Sequence, residues 1–443
     1  MERLLILYYL AALYLKPFRS RQHLDRTVQR RLRSLEKFLL SQSPYYASLL
    51  KHFGSILSLP VMNKAEHLAN FNTINTMGLD YDDVLKVALR AEESRDFSPM
   101  ISDISVGLSS GTSGNRGLFL TSSNERAKWV AAIIHRVIGW SWKRRKVAFF
   151  LRANNNLYEA SKSRLLKFNF FDLSLPFDTL MATLNNFKPD ILIGQPSVLL
   201  EIAKQQSKGN LSIRPTKVIS VAEVLEEDAK KVLQSVFNQK IHQVYQCTEG
   251  FIACSCREGN LHLNEDLIYL EQQFLGEDKI RFFPVITDMF RHTQPIVRYV
   301  LNDILTLDDS LCECGSPFRV IATIEGREDD TLLFIKKDGE AAFVFGDFIR
   351  KIFLIVDKEN QLINYQVTQE EVDRIVITLD NIIDADVETL QKQIYDGWLK
   401  FTLVHQLILP QIEFKTGIQF VPMKKFRRII RNQFTLPNKI KFL

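Results

Sequence analysis

The run Leu108-Ser109-Ser110-Gly111-Thr112-Ser113-Gly114-Asn115-Arg116-Gly117 decides how this chain is read. Its glycines, hydroxyls and single cation lie between two short apolar stretches, Ile104 to Val106 and Leu118 to Leu120. Glycine lets backbone amides approach an anion, hydroxyls donate to phosphate oxygens, and arginine adds a permanent charge. The P-loop of ATPases would need Gly-Lys-Ser/Thr opening a helix. Here Gly117-Leu118-Phe119-Leu120-Thr121 follows and reads as a strand. The expectation is a phosphate-binding loop carried on a hairpin.

Beyond Lys146 strand and helix alternate. Strands are expected at Val147–Leu151, Ile191–Gly194, Val218–Ser220 and Gln243–Tyr245, and helices at Phe177–Phe187, from Pro196 with Ser197 or a neighbour as cap, and at Glu226–Phe237. This alternation predicts an α/β fold with a mostly parallel sheet flanked by helices, whose ligands sit beyond the carboxyl ends of strands. Val221-Ala222-Glu223 and Gln246-Cys247-Thr248-Glu249-Gly250 occupy that position, each placing a carboxylate directly after a buried strand. Upstream, Leu24–Leu50 reads as helical and ends near Ser43-Pro44-Tyr45-Tyr46. After Gly326 shorter, more charged elements predict a small α+β domain, so the chain divides into 1–326 and 327–443.

At 443 residues the chain exceeds one typical core. Its net charge of +6 permits anionic ligands without arguing for nucleic acid. Leu4–Leu15 is apolar but too short to span a bilayer, and its flanks do not make a signal peptide. It reads as an amphipathic or buried helix, with peripheral membrane contact the lesser reading, and the protein is placed in the cytoplasm. The 5 cysteines all fall between positions 247 and 314, which argues against a disulfide framework.

The loop Ser109–Gly117, Tyr245-Gln246-Cys247-Thr248-Glu249-Gly250, Arg298-Tyr299 to Asp303, Gly326-Arg327-Glu328-Asp329-Asp330 and a late Lys425 follow one another in order. With them the chain resembles the adenylate-forming superfamily: acyl- and aryl-CoA ligases, firefly luciferase and peptide-synthetase adenylation domains. The phenylacetate-CoA ligase branch, which includes deazaflavin-coenzyme adenylylating synthetases, is the nearest. Ser43-Pro44-Tyr45-Tyr46 and Pro60-Val61-Met62-Asn63-Lys64 also look like that branch.

The resemblance implies a large adenylation domain and a small mobile C-terminal one. Ser109, Ser110, Gly111, Thr112, Ser113, Gly114, Arg116 and Gly117 would hold the β- and γ-phosphates of ATP, with Arg116 where relatives usually carry lysine. Glu249, after Thr248, would hold Mg²⁺, whose hardness suits carboxylate oxygen. Ala222, Glu223 and Tyr245 would line the adenine pocket. Asp303 would take both ribose hydroxyls, although Tyr299-Val300-Leu301-Asn302-Asp303 replaces the usual Tyr-Arg-Thr-Gly-Asp. Arg327 would reach the nucleotide and Asp329 would sit at the hinge. Lys425, with Lys424 as its rival, would stabilise charge at the carboxylate and α-phosphate.

Cys256, His262, Cys312 and Cys314 form two half-sites whose thiolates and imidazole suit a closed, structural zinc site, with Cys254 able to replace Cys256. Zinc clustering of this kind also occurs in the branch just named. Cys247 reads as packing. His135 and His292 read as packed or surface histidines, and Trp129, Trp140 and Trp142 as helical core. The expected activity is ATP-dependent conversion of a carboxylic acid, aromatic by default, to its acyl-adenylate, followed by transfer to coenzyme A. A carrier-protein thiol, or AMP transfer to a coenzyme hydroxyl, is the alternative. A non-catalytic zinc protein is the remote one, and the oligomeric state stays open.

Overall fold

The computed structural model describes residues 2–94, 100–108, 117–151, 166–173, 175–275, 277–327, 331–344, 346–356, 362–382, 387–418, 427–432 and 440–442. The chain resolves into two compact units. The first comprises Met1–Glu271, Val285–Leu301 and Leu307–Ala322; the second comprises Gln272–Pro284, Asn302–Thr306 and Thr323–Leu443.

In the first unit the alternating segments form the expected sheet. Leu166–Asp172, Arg145–Leu151, Ile191–Gly194, Lys217–Val221 and Ile241–Cys247 lie side by side, all parallel. The central strand Ile191–Gly194 is apolar and buried on both faces, as parallel strands covered by helices are, while its neighbours carry polar residues at their ends. Ala148 and Phe150 point into a core roofed by helices Phe177–Phe187, Pro196–Ser207 and Glu227–Phe237. The alternate residues Val147 and Phe149 enter the opposite core with Val137 and Ile138. Phe150 stacks on Phe171 at 4.5 Å, and each fully buried ring of this size contributes about 1.5–3 kcal/mol.

After Cys247 the parallel pattern ends. Gly250–Ser255 folds back antiparallel, pairing Gly250 with Cys247 and leaving Thr248-Glu249 as a two-residue turn. Leu261–Leu263 continues antiparallel and pairs onward with Val320 and Ile321.

Two local expectations are corrected and one is narrowed. The helix predicted over Leu24–Leu50 is two, Arg21–Gln42 and Pro44–Phe53. Ser43 is extended and caps the second through the Tyr46 N–H, with Pro44 at its first position, where a missing N–H costs nothing. The helix does start at Pro196, and of the cap candidates, Ser197 or a neighbour, the neighbour Gln195 takes the position. Gln195 makes no side-chain cap bond, and Ser197, the second residue of the helix, donates to Glu223 at 2.9 Å. Trp140 and Trp142 are not helical core, because Gly139, with φ 81°, ends the helical segment before them and both rings are exposed.

The second unit sets helices Gly346–Val356 and Val387–Val404 against strands of two sheets. Gln411–Thr416, Arg374–Ile382, Leu362–Glu371 and Ile429–Arg431 form the four-stranded one in that order. Trp398 is fully buried in its core. Gly397 admits a close helix contact there: a Cβ would lie 2.7 Å from Ile352 Cγ2.

Candidate functional site

The strands flanking the glycine-rich loop form the predicted hairpin. Ile104–Leu108 runs antiparallel to Leu118–Thr121, with Leu108 opposite Leu118. Residues 109 to 116 lie outside the described residues. Gly107 lies opposite Phe119, where a Cβ would stand 2.3 Å from the ring Cζ, so any larger residue would have to displace that ring. Gln294 fastens the returning strand. Its amide nitrogen donates to the Leu118 carbonyl at 3.0 Å, and its oxygen accepts from the Leu120 N–H at 2.9 Å.

Arg291 ties this strand to the Thr248-Glu249 turn. Its guanidinium donates to the carbonyls of Thr248 and Leu120. The loop's exit at Gly117 therefore shares one cleft with Thr248, Glu249, Arg291, His67 and Tyr299. Arg291 is 7% exposed, and its Nε has no hydrogen-bond partner among the described residues. A buried cation at the cleft wall favours anionic ligands.

Glu249 is oriented at both oxygens. Oε2 accepts from the Thr248 hydroxyl at 2.8 Å, and Oε1 accepts from the Tyr299 hydroxyl at 3.1 Å. Tyr299 is held by the chain on its other side: the Met62 N–H donates to Arg298 O and the Val300 N–H to Met62 O. Burial, reinforced by the Glu249 charge, pushes the Tyr299 phenol up, so it stays a donor. His67 meets the Tyr299 ring edge-on at 5.7 Å, and its Nε2 lies 3.1 Å from the Pro295 carbonyl. Burial lowers its pKa and keeps it neutral, so it supports Tyr299 without adding charge.

Asp288 stands behind the turn, with Oδ1 accepting the Phe290 N–H at 2.9 Å. Burial pushes its carboxyl up to about 6, against the attraction of Arg291. An unfolded aspartate ionises near 3.9. Its proton therefore favours the folded state, a contribution present below about pH 3.9 and lost as pH rises through about 6. Asp288→Asn, neutral at every pH, should gain stability relative to the parent as pH rises through that window. Denaturant midpoints at pH 4 and pH 7 check this, and parallel curves for parent and variant would refute it.

The other sequence candidates are placed as follows. Ala222 leaves its strand at φ 66°, and Glu223 beside it takes the Ser197 hydroxyl. Tyr245 is half-buried in the strand next to them. Asp303 opens the strand Asp303–Asp308 and is half-buried. Arg327 ends the strand Val320–Arg327, and its side chain is outside the described residues, as are Asp329, Lys424 and Lys425. His135 packs edge-on against Tyr14 at 4.5 Å, and His292, exposed, lies tilted against Phe38 at 4.3 Å, so the two are a packed and a surface histidine. Sequence reasoning missed Arg291, Gln294, His67 and the role of Tyr299. Only Tyr299 stood inside a recognised segment.

A second constellation lies elsewhere in the first unit. The ligand atoms of Cys256, His262, Cys312 and Cys314 all fall within 4.8 Å of one another. Two like-built turns present the thiols. The Gly259 N–H donates to Cys256 O and the Gly315 N–H to Cys312 O, both glycines at positive φ. Amide donors already face sulfur: Glu258 N to Cys256 Sγ at 3.3 Å, Ser316 N to Cys314 Sγ at 3.4 Å, Asn260 Nδ2 to Cys312 Sγ at 3.2 Å. His262 Nδ1 is engaged by the Phe318 carbonyl at 2.8 Å, which leaves Nε2 facing Cys314 Sγ at 3.4 Å. That is the tautomer metal ligation needs. Cys254 is excluded from the group: it is buried in the opposite core and its Sγ contacts Asn264 Oδ1. Three sulfurs and one imidazole at this spacing fit zinc and leave no open position.

No protein-family profile matches the sequence. Protein CapK of Staphylococcus aureus is 26% identical over 216 residues, 48% of this chain and 46% of that protein. Indoleacetate–lysine synthetase of Pseudomonas savastanoi is 27% identical over 143 residues, 31% and 34% of the two chains. The chain thus spans less than half the length of these curated relatives. In structure it matches 2-hydroxyisobutyryl-CoA ligase, in the postadenylation state with R3-HIB-AMP, over 92% of this chain and 89% of that one, at TM-score 0.67 and 17% identity. A chain from structural studies of fatty acyl-adenylate ligases from E. coli and L. pneumophila matches over 73% of this chain and 68% of its own length, at TM-score 0.53 and 11% identity. The chain has the fold of the adenylate-forming ligases, the superfamily its ordered motifs resemble.

Proposed function

We propose that this chain is an AMP-forming ligase that activates a carboxylic acid with ATP and passes the acyl group to the thiol of coenzyme A. The observation carrying this is the Thr248-Glu249 turn, oriented by Tyr299 and tied through Arg291 to the strand leaving the glycine-rich loop. The acid's carboxylate oxygen attacks the α-phosphorus, the bond to the β-phosphate oxygen breaks, and pyrophosphate leaves. The thiolate then attacks the acyl carbon and AMP leaves. Both steps depend on positioning and on stabilising charge at phosphate oxygens.

Residues 109–117 are assigned to the β- and γ-phosphates, and Ala222, Glu223 and Tyr245 to adenine. Asp303 is assigned to the ribose, Arg327 to the nucleotide and Lys425 to the transferred phosphate. Mg²⁺, when bound, would neutralise phosphate charge beside Glu249. The Cys256–His262–Cys312–Cys314 group is assigned to structural zinc. An aromatic acid is the first choice. The relative named indoleacetate–lysine synthetase favours a second reading of the acceptor, in which an amine takes the acyl group.

The test is ATP–pyrophosphate exchange across aryl, fatty and hydroxy acids, with Lys425→Ala as control. Hydrogen bonds to charged groups contribute about 1.5–3 kcal/mol, so exchange in the variant should fall roughly ten- to a hundredfold. An unchanged rate would move the role to Lys424. Product analysis with coenzyme A and with amines then separates thioester from amide.

A further inference from the structure

Among the described residues no helix is long and apolar enough to cross a membrane, yet the helix Glu2–Leu15 carries an apolar face that the described residues leave exposed. Its inner side is fixed. Leu10 is buried, the Tyr9 hydroxyl donates to Asn124 at 2.7 Å, Glu2 pairs with Arg126 at 3.1 Å, and Tyr14 packs on His135. Its outer side shows Leu4 at 72%, Leu7 at 57%, Tyr8 at 67% and Leu15 at 78% exposure. These positions share one helical stripe.

The end of that helix lies against the segment Ile134–Ile138, and the chain turns directly from there into Trp140 and Trp142. Trp142 is 83% exposed, and Arg145 bridges the turn by donating to Ile138 O and Trp140 O. Arg3, Lys16 and Arg19, on or just after the helix in sequence, and Lys143 and Arg144, next to Trp142 in sequence, are all exposed. Glu2, the one carboxylate in residues 1–24, is already engaged by Arg126.

We propose that the outer face of helix Glu2–Leu15 and the Trp140–Trp142 turn form a docking surface for an anionic lipid membrane, on which the protein lies without crossing it. An apolar stripe enters the acyl boundary, tryptophan and tyrosine sit at headgroup depth, and lysine and arginine meet anionic headgroups. Charge selects this occupant over a second copy of the chain, because self-association through this face would bring the same cations together. The proposal is independent of the ligase reading.

The full chain is sedimented with phosphatidylcholine vesicles, with and without phosphatidylglycerol. It should bind the anionic vesicles and be released by salt, and Trp emission should shift to the blue on binding. Leu4→Ser/Leu7→Ser/Tyr8→Ser should weaken partitioning by about tenfold or more, since each exposed residue loses buried apolar area. Lys143→Glu/Arg144→Glu should weaken it by a similar factor and flatten the salt dependence. Unchanged circular-dichroism melts establish that the variants fold. Absence of binding to anionic vesicles, or binding unaffected by the apolar triple variant, overturns the proposal. So does a dimer in sedimentation velocity that this variant dissolves, which would assign the face to a second copy.

Discussion

Replacing Glu249 by Gln is expected to cut ATP–pyrophosphate exchange by about a hundred- to a thousandfold at fixed Mg²⁺, with little effect on stability. The size follows from the several kcal/mol that a bound cation supplies to developing phosphate charge, each 1.36 kcal/mol being tenfold. The glutamine side chain keeps its volume, and its carbonyl oxygen can still accept from Tyr299, so the turn should hold. What disappears is the negative charge on the two oxygens now oriented by Thr248 and Tyr299. Rate should therefore recover only partly as Mg²⁺ is raised. Tyr299→Phe, which leaves the charge and removes one orienting bond, should cost far less. Glu249→Gln with parental rate and parental Mg²⁺ dependence would remove Glu249 from the site.

The parts of this fold that were legible in sequence are those governed by local periodicity and local chemistry. The helix at Phe177–Phe187 and the strand at Ile191–Gly194 appear with the bounds their patterns predicted, because continuous apolar runs bounded by polar turns specify doubly covered strands. The break at Ser43-Pro44 was visible as an ending, but whether a new helix starts there depends on Ser43 Oγ reaching the Tyr46 amide, a capping geometry rather than a composition. Trp140 and Trp142 read as core because aromatic residues usually are. Their exposure is set by Gly139 leaving the helical conformation at positive φ, a single backbone angle that no periodicity carries.

The site divides in the same way. Thr248 and Glu249 stand out in the sequence because a carboxylate directly follows the strand Ile241–Cys247, and the structure places both in the cleft. Arg291, Gln294 and His67 do not, since each acts over a long sequence separation: Gln294 on Leu118 and Leu120, Arg291 on Thr248 and Leu120. Such cross-links between distant segments have no local signature, and a lone Arg or Gln in a loop is ordinarily a solvated residue.

The cysteine cluster illustrates an intermediate case and yields the second large effect. Thiol spacing identified two half-sites but left Cys254 and Cys256 interchangeable, because they are two positions apart. Pleat alone would keep them on one face, since alternate residues share it; the end of the strand at Ser255 separates them, and Cys254, inside it, faces the core against Asn264. Cys256 lies just past the strand end, in the turn closed by Gly259, where its sulfur is 3.8 Å from Cys312 Sγ. Burial opposes ionisation of Cys312, but the Cys314 backbone amide, Asn260 and His262 outweigh it and hold its thiol down at about 6, a poise suited to a thiolate ligand.

Removing one ligand of this group should therefore act on the fold before it acts on catalysis. Bound zinc would join the turn after Gly250–Ser255 to the segment leading into Val320–Arg327, closing a long loop that otherwise costs entropy to order. Cys314→Ser should lose stoichiometric zinc by elemental analysis and lower the melting midpoint by on the order of 10 °C, as a loss of several kcal/mol does in a unit of this size. A strong chelator should lower the parent's midpoint to the same value and leave the variant's unmoved. Cys254→Ala should retain full zinc, with only the small loss of stability that a buried thiol deletion brings. Zinc retained in Cys314→Ser would show that the four groups are not its ligands. Zinc lost with an unshifted midpoint would show a bound ion that does not support the fold. Exchange activity measured well below the midpoint should survive in Cys314→Ser, because none of the four residues lines the Glu249 cleft.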